Sequence, residues 1–192
     1  MQYRALLAGA MVKGRSIRMF IAVDIPEEVS LRIIGILDGV GEHGARVVGK
    51  NGMHATLAFF GSMNERQQDL LCGILSNAVF RQFEVVLSGF GLLGRGIVYA
   101  KITEGASELG AISSMLKSAS RDAGIDVDMR DFFPHVTVAR VRNGGGESVR
   151  KFLDGIGESG PWRFTCTRIS AKRSDFTDMG VEHTEVCSKD LI

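Results

Sequence analysis

Two stretches of this chain place an imidazole two residues ahead of a threonine hydroxyl within an apolar segment: His54-Ala55-Thr56-Leu57 and His135-Val136-Thr137-Val138. Residues two apart on a strand share a face, so each histidine stands beside its threonine while the intervening and following apolar residues anchor the opposite face. Histidine gains and loses a proton near neutral pH, so a pair of them can supply one acid and one base to a single reaction. A neighbouring hydroxyl can hold the negative charge that such a reaction develops. One His-x-Thr segment carries little weight, because an ordinary hydrogen-bonded strand histidine gives the same letters. Two copies in the same apolar context form the strongest chemical signal in the sequence.

The surrounding pattern gives each motif a rigid support. Residues 19–25 read as a buried strand, followed by a helix capped by Asp24, with Pro26 in its first turn and Glu27 and Glu28 beside its positive end. Val29, Ile33, Ile36, Leu37 and Val40 form that helix's inner face, and Gly39 and Gly41 end it. The first motif lies in a strand at 53–60. Asn64 and Gln67 then form a capping box for a helix that turns Leu70, Leu71, Ile74, Leu75 and Ala78 inward. Strands are expected at 83–88 and 96–102, joined by a glycine-rich turn over Gly89–Gly94, and a helix at 107–123 stopped by Gly124. The second motif's strand spans 135–141. A short helix at 147–153, a strand at 162–171 and a last strand including 185–188 follow. Strands adjacent in sequence without a helix between them favour α+β architecture with antiparallel pairing over a doubly wound parallel sheet.

With 192 residues, 45% of them hydrophobic, the chain can bury a core without disulfides or metals. Its 23 basic and 22 acidic residues leave a net charge of +1, which excludes a general coat for long duplexes and leaves room for a local basic cleft. Cys72, Cys166 and Cys187 are widely spaced and form no CxxC pair, so each is read as a small core residue in a reducing cytoplasm. Ala5–Val12 is apolar, but Lys13, Gly14 and Arg15 follow where a signal peptide would carry its small-residue cleavage site. Residues 1–18 are therefore expected to be a mobile extension, ahead of one domain spanning 19–192. No apolar run reaches the roughly 20 residues of a membrane-spanning helix.

Together the motifs resemble those of the 2H phosphoesterase superfamily, in particular its RNA 2′,3′-cyclic phosphodiesterases, or 2′-5′ RNA ligase-like proteins. MFIAVDIPEEV resembles the family's opening strand and helix. HATLAFFG and FPHVTVARV resemble its two signatures, with Pro134 before the second histidine and Arg140 five residues after it. The segment from Phe164 to Gly180 resembles its closing strand and turn. His183 departs from the family, many of whose members carry an aromatic residue after the final glycine. The resemblance implies two pseudo-symmetric lobes, with antiparallel sheets flanking a central cleft and helices outside. It also implies hydrolysis of RNA 2′,3′-cyclic phosphate ends to 2′-phosphates, with His54 as proton donor to the leaving O3′ and His135 as the base that activates water. From the residues alone these two roles are interchangeable. Thr56 and Thr137 would donate to the non-bridging oxygens. Arg140 either adds a charge-assisted contact there or is a solvated strand-end arginine.

No cofactor or metal is expected, since His-x-Thr lacks metal-ligand spacing, although a metal hydrolase using His54, His135 and Asp131 is a rival reading. Two others keep the fold: a binding module with little catalysis, and 2′-5′ joining of RNA ends as the reverse reaction. The expected partners are RNA ends or nucleotides bearing the cyclic phosphate, with no membrane, and the protein is expected to be a cytoplasmic monomer. His43 reads as a solvated loop residue, and His183 either as lining the cleft mouth or, more simply, as a surface residue. One of Phe59, Phe60, Phe132 and Phe133 is available to stack on a base, the others being core.

Overall fold

The structure, a computed structural model, describes residues 17–142, 144–177 and 180–192. Along the chain run β1 (Ile17–Asp24), α1 (Glu27–Ile36), β2 (Ala45–Val47), β3 (His54–Met63), α2 (Glu65–Asn77), β4 (Phe83–Leu93) and β5 (Ile97–Glu104). The second half contributes α3 (Ala106–Asp122), β6 (His135–Val141), α4 (Gly146–Ile156), β7 (Trp162–Cys166), β8 (Arg168–Thr177) and β9 (Gly180–Asp190). The strands form two antiparallel sheets, ordered β3-β1-β8-β9 and β2-β6-β5-β4-β7. This is the expected α+β fold of two antiparallel lobes. Each lobe contributes one His-x-Thr strand, and β3 and β6 approach each other where the sheets meet. One apolar core joins the lobes, drawing Ala55 and Leu57 from β3, Val136 and Val138 from β6, and Ile33, Leu75, Leu116 and Val149 from the four helices.

Several elements follow their local signals. The Asn64 side chain accepts from the Gln67 N–H at 2.9 Å and the Gln67 side chain from the Asn64 N–H at 3.1 Å, completing the capping box. α3 buries Leu109, Ile112 and Leu116 and gives way to Gly124 at φ +76°. Others differ for tertiary reasons. Pro26, not Asp24, occupies the N-cap position of α1, because the Asp24 carboxylate is taken by Lys172 Nζ at 2.5 Å. The expected strand at 162–171 is two strands that part at Thr167, β7 pairing with β4 in one sheet and β8 with β1 in the other. Here the chain passes between lobes, a step that alternation alone does not reveal. β4 continues through the expected 89–94 turn to Leu93, so the hairpin tip is Gly94–Gly96. Glycine is required at 91, where a Cβ would come within 2.4 Å of the Tyr99 ring. β2, too short to carry a pattern, was not foreseen. β1 begins at Ile17, and the remainder of the expected 1–18 extension lies outside the described residues.

The cysteines correct the sequence reading. Cys72 of α2 and Cys187 of β9 form a disulfide with Cα atoms 5.9 Å apart, leaving only Cys166 as a buried free thiol. The two are far apart in sequence, and they meet because α2 packs against β9. His43 is half-buried rather than fully solvated: its Nδ1 lies 2.9 Å from Ser148 Oγ and its ring packs on Phe152. Among the described residues no helix is long and apolar enough to cross a membrane.

Replacing both Cys72 and Cys187 with serine is expected to destabilise the oxidised protein by about 2–4 kcal/mol, the usual worth of a crosslink closing a long loop. Denaturant unfolding with and without reductant measures it. Equal stability of the variant and the unreduced protein would show that the crosslink contributes nothing.

Candidate active site

The two histidine strands share an irregularity that determines where their side chains point. In β3, Thr56 pairs with Ala22 and Ala58 with Ile21, leaving Leu57 as an extra residue. In β6, Thr137 pairs with Tyr99 and Ala139 with Val98, leaving Val138 extra in the same way. Each is a one-residue bulge directly after the threonine. Leu57 with Ala58, and Val138 with Ala139, are therefore buried as consecutive residues. The alternation restarts one position later. Phe59 joins the face of His54 and Thr56, and Arg140 joins that of His135 and Thr137. A bulge withdraws a carbonyl from the ladder, and both are satisfied elsewhere: Ser113 Oγ of α3 donates to the Leu57 carbonyl at 2.5 Å, and the Val48 N–H to the Val138 carbonyl at 2.8 Å.

The rings are oriented in matching fashion. His135 Nδ1 donates to the Phe133 carbonyl at 2.8 Å. A carbonyl only accepts, so Nδ1 carries the hydrogen and Nε2 of the neutral ring holds the free lone pair. A ring N–H of His54 donates to the carbonyl of Gly52, also two residues upstream. Among the described residues neither Thr56 nor Thr137 spends its hydroxyl on a protein partner.

The electrostatics join the two lobes. Burial first, then the neighbouring His183 and Lys172, push the His54 ring down to about 4, against its bond to Gly52, and Arg140 adds to the fall. His183 is lowered by burial, Lys172 and Arg140, with Asp24 opposing. Arg140 is exposed at the end of β6, and its charge is felt by the His54 and His183 rings of the opposite sheet. His183 is also no surface bystander. Its ring meets His54 edge-on at 5.3 Å between centroids and Phe20 at 4.8 Å, and its Nδ1 lies 3.3 Å from Ser174 Oγ. Phe20 stacks on the other side of His54 at 4.9 Å. Of the four candidate phenylalanines, Phe60 is buried and Phe132 half-buried. Phe59 and Phe133 are 53% and 46% exposed, with Phe133 against His135.

Sequence reading missed Lys172, Asp24 and Tyr99. Lys172 is only 8% exposed, the last of four consecutive buried residues from Ile169. Period two puts it on the polar face with Arg168, Ser170 and Ser174, so the sequence carried no signal for its burial. Tyr99 lies opposite Thr137 in register, with its ring edge-on to His135 at 5.9 Å. Asp131 is exposed, and among the described residues no three His, Cys, Asp or Glu side chains gather as a metal cage.

Two antiparallel sheets, each carrying one His-x-Thr strand, have the architecture of the class the motifs resemble. Residues 28–175 match the family model of the 2'-5' RNA ligase superfamily, and the chain belongs to that superfamily. It is similar to the RNA 2',3'-cyclic phosphodiesterase of Methanothermobacter thermautotrophicus, 26% identical over 182 residues covering 88% of this chain and 96% of that one. The protein of the same name from Thermotoga maritima is 29% identical over 132 residues, 65% of this chain and 70% of its own. Among solved structures, E. coli LigT complexed with NADP+ superposes with a TM-score of 0.77 at 25% identity, covering 92% of this chain and 98% of that chain.

Ser113→Ala strands the buried Leu57 carbonyl and is expected to cost about 1–3 kcal/mol of stability, read by thermal or denaturant unfolding. An unchanged midpoint would mean that the bulge does not depend on the hydroxyl.

The His54 shift predicts a pH dependence of stability. The unfolded chain protonates this ring near 6.5 and the folded one only near 4. Stability is therefore full above pH 6.5 and falls as pH drops through that window, by on the order of 3 kcal/mol. In unfolding at stepped pH, His54→Asn should flatten this acid-side decline. An identical decline in the variant would assign it to other groups.

Proposed function

We propose that this protein hydrolyses RNA 2′,3′-cyclic phosphodiester ends to 2′-phosphomonoesters, using residues 19–192 as one two-lobed domain and no metal or cofactor. Water attacks phosphorus, His135 takes its proton, the P–O3′ bond breaks, and His54 delivers a proton to O3′. In-line displacement needs acid and base on opposite sides of phosphorus, and one histidine from each lobe supplies that. Thr56 and Thr137 donate to the non-bridging oxygens, and Arg140 and Lys172 balance the charge. The exposed ring of Phe59 offers a stacking face to the base. The observation that carries the reading is the doubled His-x-Thr face, with both threonine hydroxyls unspent and Arg140 turned onto the same cleft by the bulge. The partners are RNA ends or nucleotides with this group, met by a monomer. Joining 2′-5′ ends is the same chemistry reversed, with a ribose hydroxyl in place of water, and is a side activity.

A lowered His54 fits a donor only once substrate is bound. The phosphate then sits beside Lys172 and Arg140, offsets their repulsion and lets the ring take up its proton. The same lowering favours a second reading in which the roles are exchanged, His54 being the base and His135 the acid.

Phosphorus NMR of a hydrolysed nucleoside 2′,3′-cyclic phosphate tests the assignment. A 2′-phosphate supports His54 facing O3′, whereas a 3′-phosphate means that the leaving oxygen lies on the other side. His54→Ala and His135→Ala should each lose at least ~10²-fold in turnover, with the double variant losing far less than the product of the two. Thr56→Ala and Thr137→Ala should each cost ~1–3 kcal/mol of transition-state stabilisation, and Thr→Ser much less. Turnover should survive a chelator. Full activity in either histidine variant would end the proposal.

A further inference from the structure

Resting on that reading, we propose that the cavity at the far end of β6 is a subsite for the backbone phosphates of a single-stranded RNA whose cyclic end lies between the two histidines. The cavity, of about 720 Å³, lies between the β4–β5 hairpin tip, the end of β6 and the start of α4, and Arg95, Arg142 and Arg150 line it. Arg163 is matched to Glu84 and Glu104, Arg168 to Glu185 and Arg173 to Asp175, whereas, among the described residues, Arg32, Arg46, Arg66, Arg81 and Arg140 stand singly outside the cavity without such a match. Among the described residues none of the three cavity arginines has such a partner, and Glu147, the acid on the lining, pairs with Lys151 at 3.1 Å. In a chain whose net charge is +1, this is a concentrated local excess of positive charge.

A basic track links the cavity to the site. Arg140 lies directly opposite Arg46 in the β2–β6 register. Like charges facing across a ladder destabilise a sheet, and an anion lying over both removes that cost. The bulge at Val138 turns Arg140 onto the face of His135, and Arg142 follows just past the end of the strand at Val141, where the cavity opens. From His135 to Arg142 the strand covers roughly 20 Å, at about 3.3 Å per residue. A mononucleotide held at the histidines cannot reach so far, but the strand of a longer RNA can, and its evenly spaced phosphates suit a file of guanidinium groups. The substrate this geometry selects is an RNA end with several nucleotides behind it, in preference to a free cyclic nucleotide.

The test compares a nucleoside 2′,3′-cyclic phosphate with an RNA of about eight nucleotides bearing the same end, across a salt series. For the wild-type protein, kcat/KM at low salt should favour the oligomer by ~10-fold or more. The variant R95Q/R142Q/R150Q should lose that preference and reduce the log–log salt slope for the oligomer by about two, at roughly 0.7 per phosphate contact on single strands. Its turnover of the mononucleotide should stay at the wild-type level. No oligomer preference in the wild type, or the same preference in the variant, overturns the subsite. An equal fall on both substrates does so too, once circular dichroism shows the variant folded. If the wild type opens neither substrate, the assigned reaction has failed, yet the subsite is still tested by fluorescence anisotropy of a labelled RNA of the same length. Salt-sensitive binding that the triple variant loses supports it, and unchanged binding overturns it.

Discussion

The site depends on one extra residue in each histidine strand. Perfect alternation would group His135 and Thr137 with Ala139 and Val141, turning Arg140 into the opposite face. The bulge at Val138, like that at Leu57, buries two consecutive small or aliphatic residues and reverses the phase beyond them. A bulge leaves a carbonyl without its ladder partner, so each survives only because the surrounding fold supplies a donor. In one lobe the donor is a helix hydroxyl, in the other the backbone at Val48 beside the short strand β2. This gives β2, three residues long, and the buried Ser113 a purpose that their own segments do not suggest.

The same device gives the pseudo-symmetric halves different contents. Five residues after its histidine, one lobe presents the phenyl ring of Phe59 and the other the guanidinium of Arg140. Equivalent backbones thus deliver an exposed apolar ring in one lobe and a cation in the other. Lys172 reinforces the charged part from a third strand. Its own burial is tolerable because Asp24 holds it, a contact the carboxylate makes in place of capping α1. His54 sits between Phe20 and His183 and feels the charge of Lys172. Dehydrated and beside that charge, its ring holds a proton less readily than a solvated histidine.

What the sequence determined by itself was local: the two His-x-Thr pairs, the strand and helix periods around them, and the Asn64–Gln67 cap. These signals operate over spans of two to four residues, so they survive without knowledge of the rest of the chain. Leu70 shows their limit even there, fitting the helical period yet lying 44% exposed, because period alone does not say which neighbour covers it. Everything that depended on partners distant in sequence was decided by the tertiary structure. The Cys72–Cys187 bond, the split of one apparent strand at Thr167, the seating of His183 against His54 and the phase change ahead of Arg140 all arise from contacts between elements far apart in the chain. A bulge in particular leaves no mark in a pattern of apolar letters, since Val138 and Ala139 read the same whether one or both are buried. Only the register against β5, fixed by hydrogen bonds across the sheet, makes the phase change visible.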